Sequence, residues 1–360
     1  LIYLKTNPEK EHKMALEFTK SEAKEWARKN YKGLDGTIPP SFTPDLSELD
    51  EEGIRWDVQH NIRKGMFSVL CETSMAPMSF EERKRFMEIV CEEAKGKILV
   101  SVTAGIDDVE QDIELLRHFE KVGGTHTLFG YPGNFYARSE EDIYEITKKI
   151  CDSVNLCIDL WPKPIFDFGR FHPSSFNPKL VARMAEIPNV VGAKVYIADG
   201  FGKMAELHHL IGDMILQQSG EPEEWCITIP KYKQQWAGPG KYVIYDDENT
   251  DNPRIIKLFN LFREGEFEKA MELYWELSPI HMNAMKVGLY QGGGFVGIKY
   301  LDWLAGGNGG MLRQPGNRLP QRAKDAMRAG LKAIGVTARE NDEEFYVGRV
   351  NYEKGIRPRK

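Results

Sequence analysis

The chain has 360 residues, 41% of them hydrophobic and 28% charged, with a formal net charge of −6 at pH 7. That composition supports a packed core in one large domain or two ordinary ones. It excludes the basic stripe of a nucleic-acid-binding surface, and no apolar run is long enough to cross a bilayer, so neither nucleic acid nor membrane is an expected partner.

The chain opens at Leu1 on "LIYLKTNPEKEHK", which reads as lacking the residues before it and has no secretion-signal pattern. Residues 8–33 then read as a helical lead-in. Short β-rich runs follow at 36–42, 66–72, 97–105, 125–133, 155–162, 190–199, 224–232 and 241–247. Helical patterns lie between them. "SFEERKRFMEIVCEEAKG" (79–96) opens on a Ser79/Glu82 capping box and places Phe86, Ile89 and Val90 on one face. "DVEQDIELLRHFEKVGG" (108–124) stops at a glycine pair, "SEEDIYEITKKICDSV" (139–154) repeats the box at Ser139 and Asp142, and "NPKLVARMAEIP" (177–188) closes at a proline. Eight strands alternating with helices imply a parallel sheet, and eight is the number that closes as a (β/α)8 TIM barrel. An open doubly wound sheet is the runner-up, but it needs a glycine-rich phosphate turn that is missing here. The expected organisation is a lead-in at 1–33, a barrel at 34–251, a C-terminal helical bundle at 252–336 and a polar arm at 337–360, mobile or wrapped around a partner.

Lys194 interrupts the apolar run "VVGAKVYIAD" (190–199). Desolvating an ammonium is costly, so its presence needs a reason. One reason is a partner carboxylate, for which Asp159 on the preceding strand is available. The other is catalysis. Near the C-terminal end of a barrel strand, a lysine in a dry site has a lowered pKa, and its neutral amine attacks a carbonyl to give a Schiff base.

The residues around Lys194 resemble the Schiff-base lysine strand of the dihydrodipicolinate synthase and N-acetylneuraminate lyase superfamily, in "IPNVVGAKVYIADG" (187–200). "GTIPPSFTPD" (36–45) is similar to its first strand and "MSFEERKRFMEIVCEEAKGKILVSVTAG" (78–105) to its second helix and third strand. "GIKYLDWLAG" (297–306) and "LPQRAKDAMRAGLKAIG" (319–335) are similar to its C-terminal helices. The resemblance implies a (β/α)8 barrel with a C-terminal helical bundle, assembled as a homotetramer, a dimer of dimers. It implies a class I aldolase or lyase that takes a small-molecule 2-oxo acid and an aldehyde, with no cofactor beyond the covalent imine on Lys194.

Three departures bear on substrate. The family's glycine-containing carboxylate loop after the second strand is here the shorter "CETSMAPMS" (71–79), with Thr73 and Ser74 left to supply hydroxyls and Glu72 placed to repel an anion if it points inward. Trp161 stands where the family has a proton-relaying tyrosine. An indole has no acid–base role near neutral pH, so Asp159, Tyr196, Glu72 or a water must move the proton. The loop "GYPGNFYARS" (130–139) lacks the synthases' paired tyrosines, leaving Tyr131 or Tyr136 as partial substitutes. The dihydrodipicolinate synthase reaction itself is therefore disfavoured. "IDLWPKPIFDFGRFHP" (158–173) and "FTKSEAKEWARKNYKGLDGTIPPSFTPD" (18–45) resemble instead the hydratase-aldolases of aromatic benzylidenepyruvates. There Trp161, Phe166, Phe168 and Phe171 either build an apolar pocket or simply pack a long loop. Two rivals stay open: a Schiff-base dehydratase, decarboxylase or condensing enzyme on a non-pyruvate carbonyl compound, and a barrel that has lost catalysis and only binds.

Other signals are weaker. The five cysteines (Cys71, Cys91, Cys151, Cys157, Cys226) have irregular spacing and no CxxC pair, which points to a reducing, cytoplasmic compartment. "YDDENTDN" (245–252) lacks the glycine and final glutamate of an EF-hand, and adjacent His208 and His209 face different ways, so no metal is expected. "LYQGGGFVG" (289–297) lacks the Lys-Ser/Thr of a phosphate loop and reads as a turn between helices.

Overall fold

The computed structural model describes residues 16–358 apart from 75, 106–107, 164–165, 167, 174–175, 198–199, 251, 282–293 and 316–317. Eight parallel strands form a barrel: β1 (Gly33–Ile38), β2 (Ser68–Cys71), β3 (Leu99–Ala104), β4 (His126–Phe129), β5 (Cys157–Leu160), β6 (Val190–Lys194), β7 (Leu216–Gln218) and β8 (Trp236–Ala237). Consecutive strands pair from β1 to β7, and β8 pairs with β1. The helices are α1 (Ala23–Asn30), α2 (Glu51–Arg63), α3 (Phe80–Ala94), α4 (Val109–Val122), α5 (Glu140–Ser153), α6 (Pro178–Ala185), α7 (Phe201–Ile211) and α8 (Trp225–Tyr232). After the barrel come α9 (Arg254–Glu264), α10 (Phe267–Pro279), α11 (Gly294–Leu304), α12 (Gln321–Ala333), α13 (Glu343–Val347) and α14 (Arg349–Glu353). The expected (β/α)8 TIM barrel with N- and C-terminal helices is the fold observed.

Local chemistry places these elements. Ser79 accepts the Glu82 N–H at 3.1 Å while Glu82 accepts the Ser79 N–H at 2.8 Å, so α3 starts on the expected capping box. Glu82 also takes Arg313 in a two-pronged ion pair, which ties the segment before α12 to the barrel and holds the carboxyl down at about 2. Ser139 caps α5, but Asp142 turns back to the Arg138 N–H rather than to Ser139, so the second box is half formed. α4 ends on Gly123 at φ +107°, a left-handed position that favours glycine.

Two expected strands are wrong. "EWCITIPKY" is helix α8, because Trp225, Thr228, Ile229 and Tyr232 bury one face at helical spacing despite the β-branched composition. Residues 241–247 hold a short 3-10 helix, Val243–Tyr245. The true β7 is short and polar, and β8 has two residues. Among the described residues no backbone ladder joins β7 to β8; buried side chains close the seam. Gln218 accepts the Gly238 N–H at 3.2 Å and donates to the Gly238 carbonyl. Gln234 accepts from Ser219 N–H at 3.0 Å and donates to the Ser219 and Trp236 carbonyls, each at 2.8 Å.

One core lies between strands β2–β6 and helices α3–α7, and a second joins α8–α12 to β1. α1, from the lead-in, plugs the barrel's N-terminal end with Ala23, Ala27 and Tyr31 over Trp236. The C-terminal arm is not loose where it is described. Phe345 is buried, Arg349 pairs with Glu248 and Glu344, and Asn351 reaches Asp50 at 2.8 Å. Of the expected turn at 289–297, residues 294–297 instead begin α11, and the rest of it, like the lead-in before residue 16, lies outside the described residues.

Candidate active site

Lys194 is the last residue of β6, so its side chain rises from the C-terminal end of the barrel. It is 6% exposed, and its Nζ donates to the Pro239 carbonyl at 2.6 Å. Gly220 leaves room for it: a Cβ there would lie 3.3 Å from Lys194 Nζ. Burial, reinforced by the Lys163 charge, lowers the ammonium to about 8. Near neutral pH about one lysine in ten is then an amine, against a few in ten thousand for an ordinary lysine.

Lys194 opens into a cavity of about 270 Å³ lined among others by Thr37, Glu72, Trp161, Lys163, Tyr196, Glu221 and Tyr242. Each sits at or just past a strand end, where a barrel carries its chemistry. A second compartment of about 540 Å³ adjoins it through the shared walls Trp161 and Phe295. Its lining is aromatic: Tyr131, Phe135, Tyr136, Phe166 and Phe168, with Ser74 and Arg170.

The expected site residues divide. Lys194, Tyr196, Trp161 and Glu72 meet at the first cavity, and Glu72 does point inward. Trp161 indole N–H is buried with no partner among the described residues. Ser74, Tyr131 and Phe168 belong to the second compartment, whereas Phe171 does not line it. Thr73 is buried, donating to the Thr103 carbonyl at 3.2 Å, and lines neither space.

One residue lies away from where the sequence reading puts it. Asp159 does not line the cavity. It lies a layer lower, against Gly192, where a Cβ would fall 2.3 Å from its Oδ1. Its surroundings are Asp35 and Tyr31, and burial followed by the Asp35 charge pushes its carboxyl well above the ordinary range. Period 2 put Asp159 on the face of Trp161 but could not give its depth. Tyr131 contributes its ring only, because its hydroxyl bonds Thr147 Oγ1 at 2.6 Å in the core.

Lys163, Glu221, Lys241 and Tyr242 were missed. Lys163 follows Trp161 at the end of β5, so strand-end position was an available signal. The other three depend on where β7 and β8 fall. Tyr242 holds the Gly220 carbonyl at 2.8 Å, and Lys241 pairs with Asp302 at 2.8 Å. As for metals, Glu221, Glu223 and His281 bring three ligating atoms within 4.8 Å of one another at the cavity's edge, and His281 already pairs with Glu223 there.

With this geometry in hand, sequence comparison is decisive: a profile of the Dihydrodipicolinate synthetase family matches residues 33–334. The chain belongs to that family. Members of the family use a lysine Schiff base with pyruvate and need no external cofactor. A 4-hydroxy-tetrahydrodipicolinate synthase of Methanopyrus kandleri is 26% identical over 84% of this chain and 97% of its own. That of Methanocaldococcus jannaschii is 27% identical over 84% of this chain and 99% of its own. Among solved structures, an N-acetylneuraminate lyase from Fusobacterium nucleatum complexed with pyruvate superposes with a TM-score of 0.70 at 18% identity, over 84% of this chain and 97% of that one. A structure described as PhdJ bound to substrate intermediate gives 0.69 at 16% identity, over 88% and 97%. These two likenesses establish the shared fold.

Proposed function

We propose that this family member is a Schiff-base lyase, an aldolase or hydratase-aldolase, that cleaves or forms a C–C bond next to a 2-oxo acid, with an aromatic or other apolar aldehyde as partner. The observation that carries the proposal is the junction of the two compartments. A buried lysine lowered to about 8 stands in a cavity lined by charged side chains, and an aromatic chamber adjoins it across Trp161.

Lys194 as neutral amine attacks the keto carbon, and loss of water from the carbinolamine leaves an iminium. If the substrate is an arylidene 2-oxo acid, water first adds across its double bond. Removal of the resulting hydroxyl proton then breaks the C–C bond. The electron pair moves into the iminium to give an enamine, and the aldehyde departs from the aromatic chamber. Protonation of the enamine carbon and hydrolysis release the 2-oxo acid and restore Lys194. Tyr196, whose ring centre is 5.7 Å from Lys194 Nζ, and Glu72 are the cavity groups placed to carry the proton. Asp159 is too deep for that role.

Family members are commonly oligomeric. Trp275 and Phe267 on α10 are 65% and 45% exposed, apolar surface that favours assembly into the proposed homotetramer, which light scattering tests. The catalytic reading is tested by incubation with a benzylidenepyruvate. Release of benzaldehyde and pyruvate supports it; unchanged substrate at high enzyme concentration refutes it.

A further inference from the structure

Addition of an amine to a keto group leaves a positive nitrogen and a negative oxygen, and a proton must cross between them before water can depart. Direct transfer closes a strained four-membered ring. A hydroxyl that gives one proton while it takes another widens that ring to six. Taking the Schiff-base reading above as its premise, we infer that the Tyr242 hydroxyl carries this proton when Lys194 condenses with the substrate's keto group.

Two glycines bring tyrosine and lysine to one gap. Tyr242 follows β8, is buried and lines the Lys194 cavity. Gly240 makes room for its ring: a Cβ there would fall 2.7 Å from the phenol Cζ and 2.9 Å from the hydroxyl. Gly220 leaves open the space between the two side chains. A Cβ there would lie 3.3 Å from Lys194 Nζ and 3.6 Å from the Tyr242 hydroxyl, so the two atoms are at most about 7 Å apart. In the adduct the new oxygen stands about 2.4 Å from Nζ, and one hydrogen bond adds about 2.8 Å, a reach of about 5 Å toward the phenol.

The phenol is also held in the right form. Its O–H donates to the Gly220 carbonyl at 2.8 Å, which fixes the oxygen and leaves its lone pairs to accept. Burial, with the Glu221 charge next, pushes the phenol well above its usual range, so it stays an O–H and passes a proton only by replacing it. Thr37, another hydroxyl on the cavity wall, is spent on the Gly240 carbonyl at 3.3 Å. In the step itself an N–H bond of the charged nitrogen breaks and its proton goes to the phenol oxygen. The phenol's own proton goes to the substrate oxygen, giving the neutral carbinolamine and an unchanged tyrosine. Hydrolysis of the imine uses the same relay in reverse.

The test follows exchange of the pyruvate keto oxygen with oxygen-18 water, which reports imine formation and hydrolysis and needs no C–C chemistry. Tyr242→Phe keeps the ring and removes the hydroxyl. A relay speeds both directions equally, so the variant should exchange about 100-fold more slowly. The pyruvate concentration that half-saturates borohydride trapping on Lys194 should stay within about two-fold, because the equilibrium is untouched. Exchange at the wild-type rate in folded Tyr242→Phe, or a half-saturating concentration that rises in step with the lost rate, overturns the inference alone. Wild-type protein that neither exchanges nor traps pyruvate overturns the Schiff-base reading and this inference with it.

Discussion

Replacing Lys163 with methionine removes one positive charge from the wall facing Lys194 and should make Lys194 a poorer nucleophile near neutral pH. Burial is the larger cause of the lowered Lys194 ammonium, and Lys163 is the next. Both nitrogens flank the Tyr196 ring, at 4.7 and 5.7 Å from its centre, which bounds their separation at about 10 Å. At an effective dielectric constant of about 20, two like charges at that distance repel by about 1.7 kcal/mol, or roughly one pKa unit. Lys194, half neutral at about 8 in the wild type, should then reach that point near 9. At pH 7.5 the neutral fraction falls from about a quarter to about 3%. The assay is reductive methylation of Lys194 by formaldehyde and cyanoborohydride, followed across pH by peptide mass spectrometry. Because formaldehyde is uncharged, carboxylate binding plays no part. Lys163→Arg should keep the wild-type midpoint. A midpoint in Lys163→Met that stays put or falls would refute the electrostatic argument.

Asp159→Asn should leave trapping of pyruvate on Lys194 within a few-fold, since Asp159 lies below the cavity. A carboxyl raised in the fold contributes stability that is full below its unfolded pKa and is lost as pH rises. Relative to wild type, the asparagine variant should therefore gain thermal stability between pH 4 and pH 8, and a constant difference in Tm would contradict the buried-acid assignment. Tyr131→Phe should cost about 1 kcal/mol in denaturant unfolding, for the lost Thr147 bond, while turnover stays within two-fold; a large loss of kcat would return its hydroxyl to the chemistry. Gln218→Leu leaves the Gly238 N–H and carbonyl without the side chain that joins them across the seam, and should cost about 2–4 kcal/mol. It should also slow trapping on Lys194, because Pro239 next to Gly238 carries the lysine's acceptor; full activity in the folded variant would separate the seam from the site.

How far the sequence reached follows from where the signal lay. β1 through β6 were legible in apolar runs between capped helices. β7 and β8 were not, because Gln218 and Gln234 replace backbone pairing with side-chain amides, and polar residues in a two- or three-residue strand carry no periodicity. α8 was misread because Ile227, Thr228 and Ile229 are β-branched, and only the spacing of Trp225, Ile229 and Tyr232 shows the helix. Lys194 stood out because a lysine in an apolar strand is costly. Glu72 and Trp161 could be placed from strand ends. Glu221, Lys241 and Tyr242 converge only once all eight strands are arranged. Asp159 shows the opposite failure: alternation gave the correct face, yet two residues along a strand separate the barrel's floor from its mouth.

The central claim is that Lys194 forms an imine with a 2-oxo acid. Its most direct test is incubation with pyruvate and borohydride, digestion, and mapping of the added mass, with Lys194→Ala in parallel. The account expects a reduced pyruvyl adduct on the peptide containing Lys194 and none in the variant. An adduct that persists in Lys194→Ala, or wild-type protein that stays unmodified at saturating pyruvate while remaining folded, would contradict it.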